Sequence, residues 1–209
     1  TDASLPDSKW GDALMKQGIE SKVDVSVLGG SDNATYGFTA GYYKNTGTVI
    51  NTDNTNITAR LNTDFKLLKN HLLISPSLSI FRMNRGKMYE PTGSGNGGWS
   101  DFMEVAMQIP HKKIYDENET YGFAVPPDGF PSGNPIAIRS IVTDKNQTDY
   151  VQAGINTEVV LTKALSYKFF YGANVKDYYN YYHMPAYNYG NQSQLEHTFL
   201  SEERGRTNH

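Results

Sequence analysis

Cysteine is absent from this 209-residue sequence, and so is any long apolar run. Without cysteine the chain has no disulfide framework, no thiolate metal ligand and no cysteine nucleophile. Without a stretch of about 18 apolar residues it has no segment that could cross a membrane as a helix, which leaves a membrane β-barrel open. Basic residues are not in excess either, because 19 Lys and Arg stand against 22 Asp and Glu, and no basic cluster occurs. This balance argues against a nucleic-acid partner.

Recognisable catalytic and metal-binding patterns are also missing. The five histidines have neither helical i, i+4 pairing nor the spacing of a metal site; they are His71, His111, His183, His197 and His209. Asp64 and Glu158 resemble the carboxylate pair of a glycosidase only in residue type, and on a strand they are more simply polar wall residues. The glycine-rich segment 93–98 lacks the lysine of a phosphate-binding loop. We therefore predict no enzyme, no metal and no cofactor.

The clearest pattern that is present is a strict alternation over residues 56–67. Every odd position is apolar or small, from Ile57 to Leu67, and every even position is polar or charged. Successive side chains of a strand point to opposite faces, so this pattern predicts a strand with one apolar and one hydrated face. The polar face carries full charges, which a packed protein interior would not accept.

Similar alternation predicts an antiparallel meander of about six strands. Their predicted ranges are 22–29, 35–44, 55–68, 72–83, 149–162 and 165–178. A short helix precedes them near Trp10, and a long loop at 85–147 carries a second short helix near 99–108. The predicted connections alternate between tight turns and long loops along the chain.

Two architectures fit this pattern. In an outer-membrane barrel, the turns at one end are short, the loops at the other end are long, and aromatic girdles flank the lipid. The candidate girdle residues near strand ends are Tyr36, Tyr42, Tyr43, Tyr150, Tyr178 and Tyr179. In a secreted carbohydrate-binding β-sandwich, the apolar faces of two sheets would instead cover each other. Exposure of Phe65 separates these two possibilities.

Four motifs in order make the sequence resemble the early barrel of SusC/RagA-type TonB-dependent transporters. These motifs are the segments 10–14 (WGDAL), 25–36 (VSVLGGSDNATY), 41–49 (GYYKNTGTV) and 58–64 (TARLNTD). Asn134-Pro135 and the turn segment 163–168 continue the likeness. The resemblance implies an all-β fold that forms part of a transmembrane barrel wall in the bacterial outer membrane.

The resemblance also implies partners and missing parts. Members of this family have a plug inside a barrel of about twenty-two strands. They receive energy from the TonB complex and work with a SusD-like surface lipoprotein that helps to capture glycans or peptides. We expect residues 1–209 to be a partial barrel domain, with the plug, the TonB-contacting part and the remaining strands absent. Outer-membrane lipid would then contact the apolar face.

Two sets of candidate site residues follow. The aromatic and polar residues of the long loop suit a substrate such as a sugar, since flat rings and hydrogen-bonding side chains bind sugars. This substrate-binding set is Tyr89, Trp99, Asp101, Tyr115, Tyr121 and Phe130. The second set faces the barrel lumen or the plug and comprises Arg60, Asn62, Asp64, Gln152, Asn156 and Lys168.

Overall fold

The computed structural model describes residues 5–86, 101–125, 133–186 and 198–208. In these ranges the strands are β1 (Ile19–Gly30), β2 (Ala34–Thr46), β3 (Asp53–Leu67), β4 (Leu72–Gly86), β5 (Thr143–Thr162), β6 (Leu165–Met184) and β7 (Phe199–Asn208). The helices are α1 (Trp10–Leu14), α2 (Asp101–Ala106) and α3 (Pro135–Ile141). No helix within the described ranges is long and apolar enough to cross a membrane.

All seven strands form one antiparallel sheet in the order of the chain. Each strand pairs with the next one, so the described sheet is an open meander with β1 and β7 at its edges. The predicted antiparallel all-β class is confirmed. The described residues contain no second sheet packed on this one, as the sandwich alternative would require.

The structure has one strand more than the sequence pattern predicted, and β5 and β6 are longer than expected. β5 begins at Thr143 instead of 149, and β6 continues to Met184 instead of 178. The additional strand β7 pairs with Val175–Met184, which includes this extension of β6. Both faces of these extensions carry polar or aromatic residues, so no apolar alternation marks them in the sequence.

A second helix in the long loop was also missed. α3 begins after Asn134, whose side-chain oxygen accepts a hydrogen bond from the backbone N–H of Ala137 at 3.1 Å. Pro135 occupies the first helical position, where its missing N–H costs nothing. The Asn-Pro pair was therefore a helix-start signal that the low hydrophobic periodicity of the segment concealed.

The connections at the two ends of the sheet differ in length, as predicted. One end has tight turns at 31–33, 68–71 and 163–164. In the 68–71 turn, Leu68, Lys69 and Asn70 have φ values of 52°, 54° and 69°, a run of left-handed residues that reverses the chain. The other end, here called the loop end, bears residues 5–18, 47–52 and the connections after β4 and β6.

The two faces of the sheet have opposite chemistry. On one of them, here called the outward face, apolar side chains form a band some nine to eleven residues tall on each central strand. This band includes Ile57, Leu61, Phe65, Ile80, Val151, Ile155, Val159, Tyr167 and Phe169. Phe65 is 39% exposed and Phe169 is 50% exposed, so no described part of the chain covers them. The band is a surface.

The dry core of the described residues lies outside the sheet, at the loop end. Trp10, Leu14, Val49, Ile114 and Ile136 are all buried there and contact one another in one cluster. They come from the segment before β1, the β2–β3 loop and the two described parts of the β4–β5 connection. We call this assembly, residues 5–18, 47–52, 101–125 and 133–142, the loop module.

Candidate functional site

The six residues predicted to face the lumen or plug lie together on the polar face of the sheet, here called the inward face. Cross-strand register places Arg60 beside Ser79, and Ser79 beside Gln152. Directly paired residues of an antiparallel sheet share a face, so Arg60 and Gln152 point the same way. The same register joins the whole predicted set on this face: Arg60, Asn62, Asp64, Gln152, Asn156 and Lys168. Their contact with a plug stays a prediction.

Hydrogen bonds hold the turn side of the inward face. The carboxylate of Asp64 accepts from the Ser75 hydroxyl at 2.6 Å and from the Thr35 hydroxyl at 3.2 Å. Lys168 and Glu158 form an ion pair at 3.4 Å across β5 and β6, and the lysine side chain is largely exposed. Exposed pairs of this kind contribute little stability, so this pair adds polarity to the inward face more than it stabilises the sheet.

An aromatic cluster on the inward face was missed. Three of the six tyrosines predicted as a lipid girdle, Tyr43, Tyr150 and Tyr178, lie on the inward face and not on the apolar one. The Tyr150 ring lies 6.0 Å from that of Phe81, and the ammonium of Lys176 lies 5.4 Å from the Tyr150 centroid. Counting odd and even positions from the apolar residues of each strand would have found them.

Backbone-directed hydrogen bonds hold the segments of the loop module together. Asn134, 1% exposed, donates to the carbonyls of Ile114 at 2.8 Å and Ala124 at 3.0 Å. The guanidinium of Arg139 donates to the carbonyls of Ile50 and Asn51 at 2.9 and 3.0 Å. These two side chains tie α3 to the neighbouring loops of the module.

The N-terminal helix is joined to the same module. The indole N–H of Trp10 donates to the carbonyl of Ile109 at 3.2 Å, and the backbone N–H of Ser8 donates to that of Pro110 at 2.8 Å. Both Trp10 and Leu14 point into the dry core. The helix thus packs onto the neighbouring segments of the loop module.

The predicted substrate-binding residues are only partly within the described chain. Tyr89, Trp99 and Phe130 lie outside the described residues. Asp101 is the first residue of α2. Tyr115 and Tyr121 are both exposed, and the Tyr115 ring lies 5.5 Å from that of Phe123. The structure thus places Tyr115 against Phe123, which packs on the module core, and a sugar-binding role for this set stays a prediction.

One carboxylate in this segment has a shifted pKa. The Asp116 side chain accepts from the backbone N–H and the side-chain amide of Asn118, both at 3.0 Å. These hydrogen bonds, with a smaller contribution from the charge of Lys113, hold the pKa of Asp116 below its usual value. The residue closes a local turn.

Exposed apolar side chains lie on one side of α2 and just beyond it. Phe102, Met103 and Met107 are exposed, with Met103 at 54%, whereas Val105 of the same helix is buried in the module core. Ile109, just beyond the helix, is exposed as well. Exposed apolar surfaces of this kind are typical of protein interaction sites.

The described residues contain no group of three or more His, Asp or Glu side chains that could hold a metal ion. No protein-family model matches the chain. A curated relative, TonB-dependent receptor P3 of Formosa agariphila, is 25% identical over 166 residues, which are 78% of this chain and 16% of the relative.

Solved structures give the same fold. The RagAB peptide transporter matches with a TM-score of 0.67 and 19% identity, over 90% of this chain and 21% of that chain. The RagAB peptide importer in its open-open state matches with a TM-score of 0.68 and 20% identity, over 88% of this chain and 21% of that chain. This chain therefore spans about a sixth of the curated relative and about a fifth of the solved ones.

The fold, the amphipathic sheet and these similarities agree with one another. A curated TonB-dependent receptor is similar in sequence over 166 residues, and the solved transporters share the fold. The resemblance to SusC/RagA-type TonB-dependent transporters of the bacterial outer membrane is confirmed, and this chain has the fold of part of the solved transporters.

Proposed function

We propose that this chain is part of the wall and outer loops of a TonB-dependent transporter that imports glycans or peptides across the outer membrane. The observation that carries the proposal is the opposition of the two faces, with an uncovered apolar band outward and charged or amide side chains inward. A sheet with this chemistry matches a wall between lipid and water. The role is transport and not catalysis.

The orientation follows from the connections. Long loops of outer-membrane barrels lie outside the cell and short turns lie in the periplasm. The loop module is then extracellular, where it would meet incoming substrate, and the tight turns at 31–33, 68–71 and 163–164 are periplasmic.

Substrate contacts are proposed at two levels. Tyr115 and Tyr121 of the loop module offer exposed rings at the entrance. Phe81, Tyr150 and Lys176 form an aromatic and cationic shelf on the inward face below it. Rings of this kind suit the apolar faces of sugars as well as peptide side chains.

The partners are a SusD-like lipoprotein at the loop end and a plug within the bore. The exposed apolar side of α2, with Phe102, Met103 and Met107, supports lipoprotein contact. Charged and amide side chains on the inward face, among them Arg60 and Asn62, support a polar partner there. TonB would act through the rest of the full-length protein.

Adjacent residues of β6 test the wall. In a cysteine-free background of the full-length protein, bimane-labelled Phe169→Cys faces outward and Phe170→Cys faces inward. Brominated lipid should quench the label at 169 strongly and the label at 170 weakly. Equal quenching at both positions would contradict the barrel wall.

Uptake tests the activity separately. Cells with and without the gene are given labelled oligosaccharides and labelled oligopeptides in parallel, with and without functional TonB. We expect uptake of one class to require both the gene and TonB. If neither class depends on the gene, the proposed substrates are wrong even where the wall is confirmed.

A further inference from the structure

The outward face changes character where its apolar band ends on the loop side. Four charged side chains lie in register there, one on each of β4 to β7: Arg82, Asp149, Asp177 and Arg206. Arg82 donates to both carboxylate oxygens of Asp149 at 2.6 and 3.1 Å, and Arg206 donates to both oxygens of Asp177 at 2.6 and 2.9 Å. Two bidentate pairs thus engage both carboxylates of this row.

A further arginine stands next to the row without such a partner. Arg204 lies two residues from Arg206 on the same face of β7, one step further from the apolar band. Its guanidinium carbon is 4.8 Å from the centroid of the Tyr179 ring, and the Tyr179 hydroxyl donates to Glu202 at 3.2 Å. Among the described residues, Arg204 forms no ion pair. Because a stacked guanidinium keeps its in-plane N–H groups free, Arg204 presents donors to the surroundings.

These side chains surround a shallow cavity of about 610 Å³ on the surface. Its lining includes Gln147, Asp149, Asp177, Tyr179, Arg204 and Arg206. On the outward face of β4 to β7 above the band, the described cations are Arg82, Lys145, Arg204 and Arg206, against the carboxylates of Asp149, Asp177 and Glu202. Four positive charges against three negative ones give this part of the face a net charge of one positive unit, and the two cations outside the bidentate pairs are Lys145 and Arg204.

The apolar band begins directly beside this cavity. Ile80, Val151 and Val175 each lie two residues from a member of the charged row, on the same face and toward the tight turns. A ligand with an anionic group and hydrocarbon chains could therefore contact Arg204 and the band at once. A small free anion would gain only the exposed cation, with carboxylates nearby, and exposed ion pairs are weak.

We propose that this outward patch, centred on Arg204 and Tyr179, binds the phosphate of a lipid headgroup in the outer leaflet. Arg204 supplies the unpaired donors, Arg206 adds a second cation, and the apolar band receives the acyl chains. The inference rests on the proposed function in one respect, that the outward face contacts lipid. The brominated-lipid measurement at positions 169 and 170 tests that condition independently of any lipid phosphate.

Native mass spectrometry of the purified, delipidated full-length transporter tests the site. The protein is titrated with monophosphoryl lipid A, with the same lipid after removal of its phosphate, and with inorganic phosphate alone. Variants Arg204→Gln and Lys44→Gln are compared. Lys44 is the control, because it is an outward-facing cation near the loop end of β2, five strands away from β7, which carries Arg204. Heat-modified migration on gels verifies that each variant barrel is folded.

We expect phosphorylated lipid A to bind the wild type and Lys44→Gln alike, and Arg204→Gln to bind it roughly tenfold more weakly. Removal of the lipid phosphate should reduce binding to the wild type by a similar factor. Unchanged binding in folded Arg204→Gln, or an equal loss in Lys44→Gln, would overturn the proposal. If low concentrations of inorganic phosphate displaced the lipid, the site would be one for small anions, and the proposal would again be overturned.

Discussion

The sheet and the loop module bury their apolar side chains in opposite ways. The loop module encloses Leu14 and Ile136 in a small dry core, each only 1% exposed. The sheet leaves Ile57, Phe65 and Phe169 uncovered on one face over its whole width. Water surrounds the module, so its apolar groups must cover one another, whereas the band needs no cover if its solvent is hydrocarbon. The same residue types therefore mark a core in one region and a membrane surface in the other.

The largest expected effect compares one substitution in both regions. Ile136→Ala should destabilise the loop module by about 2–5 kcal/mol, because it leaves a cavity in a closed core. Ile80→Ala, on the outward band, should cost clearly less, because lipid fills the space that the side chain leaves. Limited proteolysis of the full-length protein in lipid measures module opening, and denaturant unfolding measures the barrel. Equal effects at the two sites would remove the distinction between core and band.

A second pair sharpens the contrast between the two faces of one strand. Leu61→Arg places a charge in the middle of the band and should cost about 2–4 kcal/mol in a bilayer. Asn62→Arg, the next residue, places the same charge on the inward face and should cost little. Reversible unfolding from lipid vesicles gives both values. A large loss for Asn62→Arg alone would mean that the faces have been assigned the wrong way round.

The smallest effect concerns the surface of the module. The pKa of Asp116 is lowered when folded, so its carboxylate stabilises the local turn above the unfolded pKa, near 3.9, and loses that contribution as pH falls through the lower folded value. The protection factor of the Asn118 amide, which is the intrinsic exchange rate divided by the observed rate at the same pH, should therefore fall only below about pH 4. Asp116→Asn should remove most of this pH dependence, and its persistence in the variant would assign it to another group.

The sequence alone located most of the sheet because alternation is a local property. Residues 56–67 alternate strictly, and the structure forms β3 over Asp53–Leu67. The same reasoning did not predict residues 143–148 of β5 and 179–184 of β6, because the outward and inward residues there are both mostly polar or aromatic. Strand β7 was missed since its pairing with Val175–Met184 is a long-range contact with no local hydrophobic pattern.

The candidate sites likewise divide into residues that a local pattern predicts and residues that only long-range contacts bring together. The inward set, from Arg60 to Lys168, follows from parity within each strand, and the register places it on one face. Phe81, Tyr150 and Lys176 come from three strands, so only the register brings them together. The loop residues Tyr115 and Tyr121 are candidates by residue type alone, and their surroundings depend on how the module packs.

The sequence by itself determined that the chain forms an amphipathic sheet. Its apolar residues recur at every second position, its charges lie on one face, and short turns alternate with long loops. This pattern fits a sheet between water and an apolar medium. The tertiary structure decided the rest. It closed four distant segments around Trp10 and Ile136, and it aligned the row from Arg82 to Arg206 across four strands. Periodicity is written in neighbouring residues, whereas packing and register depend on contacts between residues far apart in the chain.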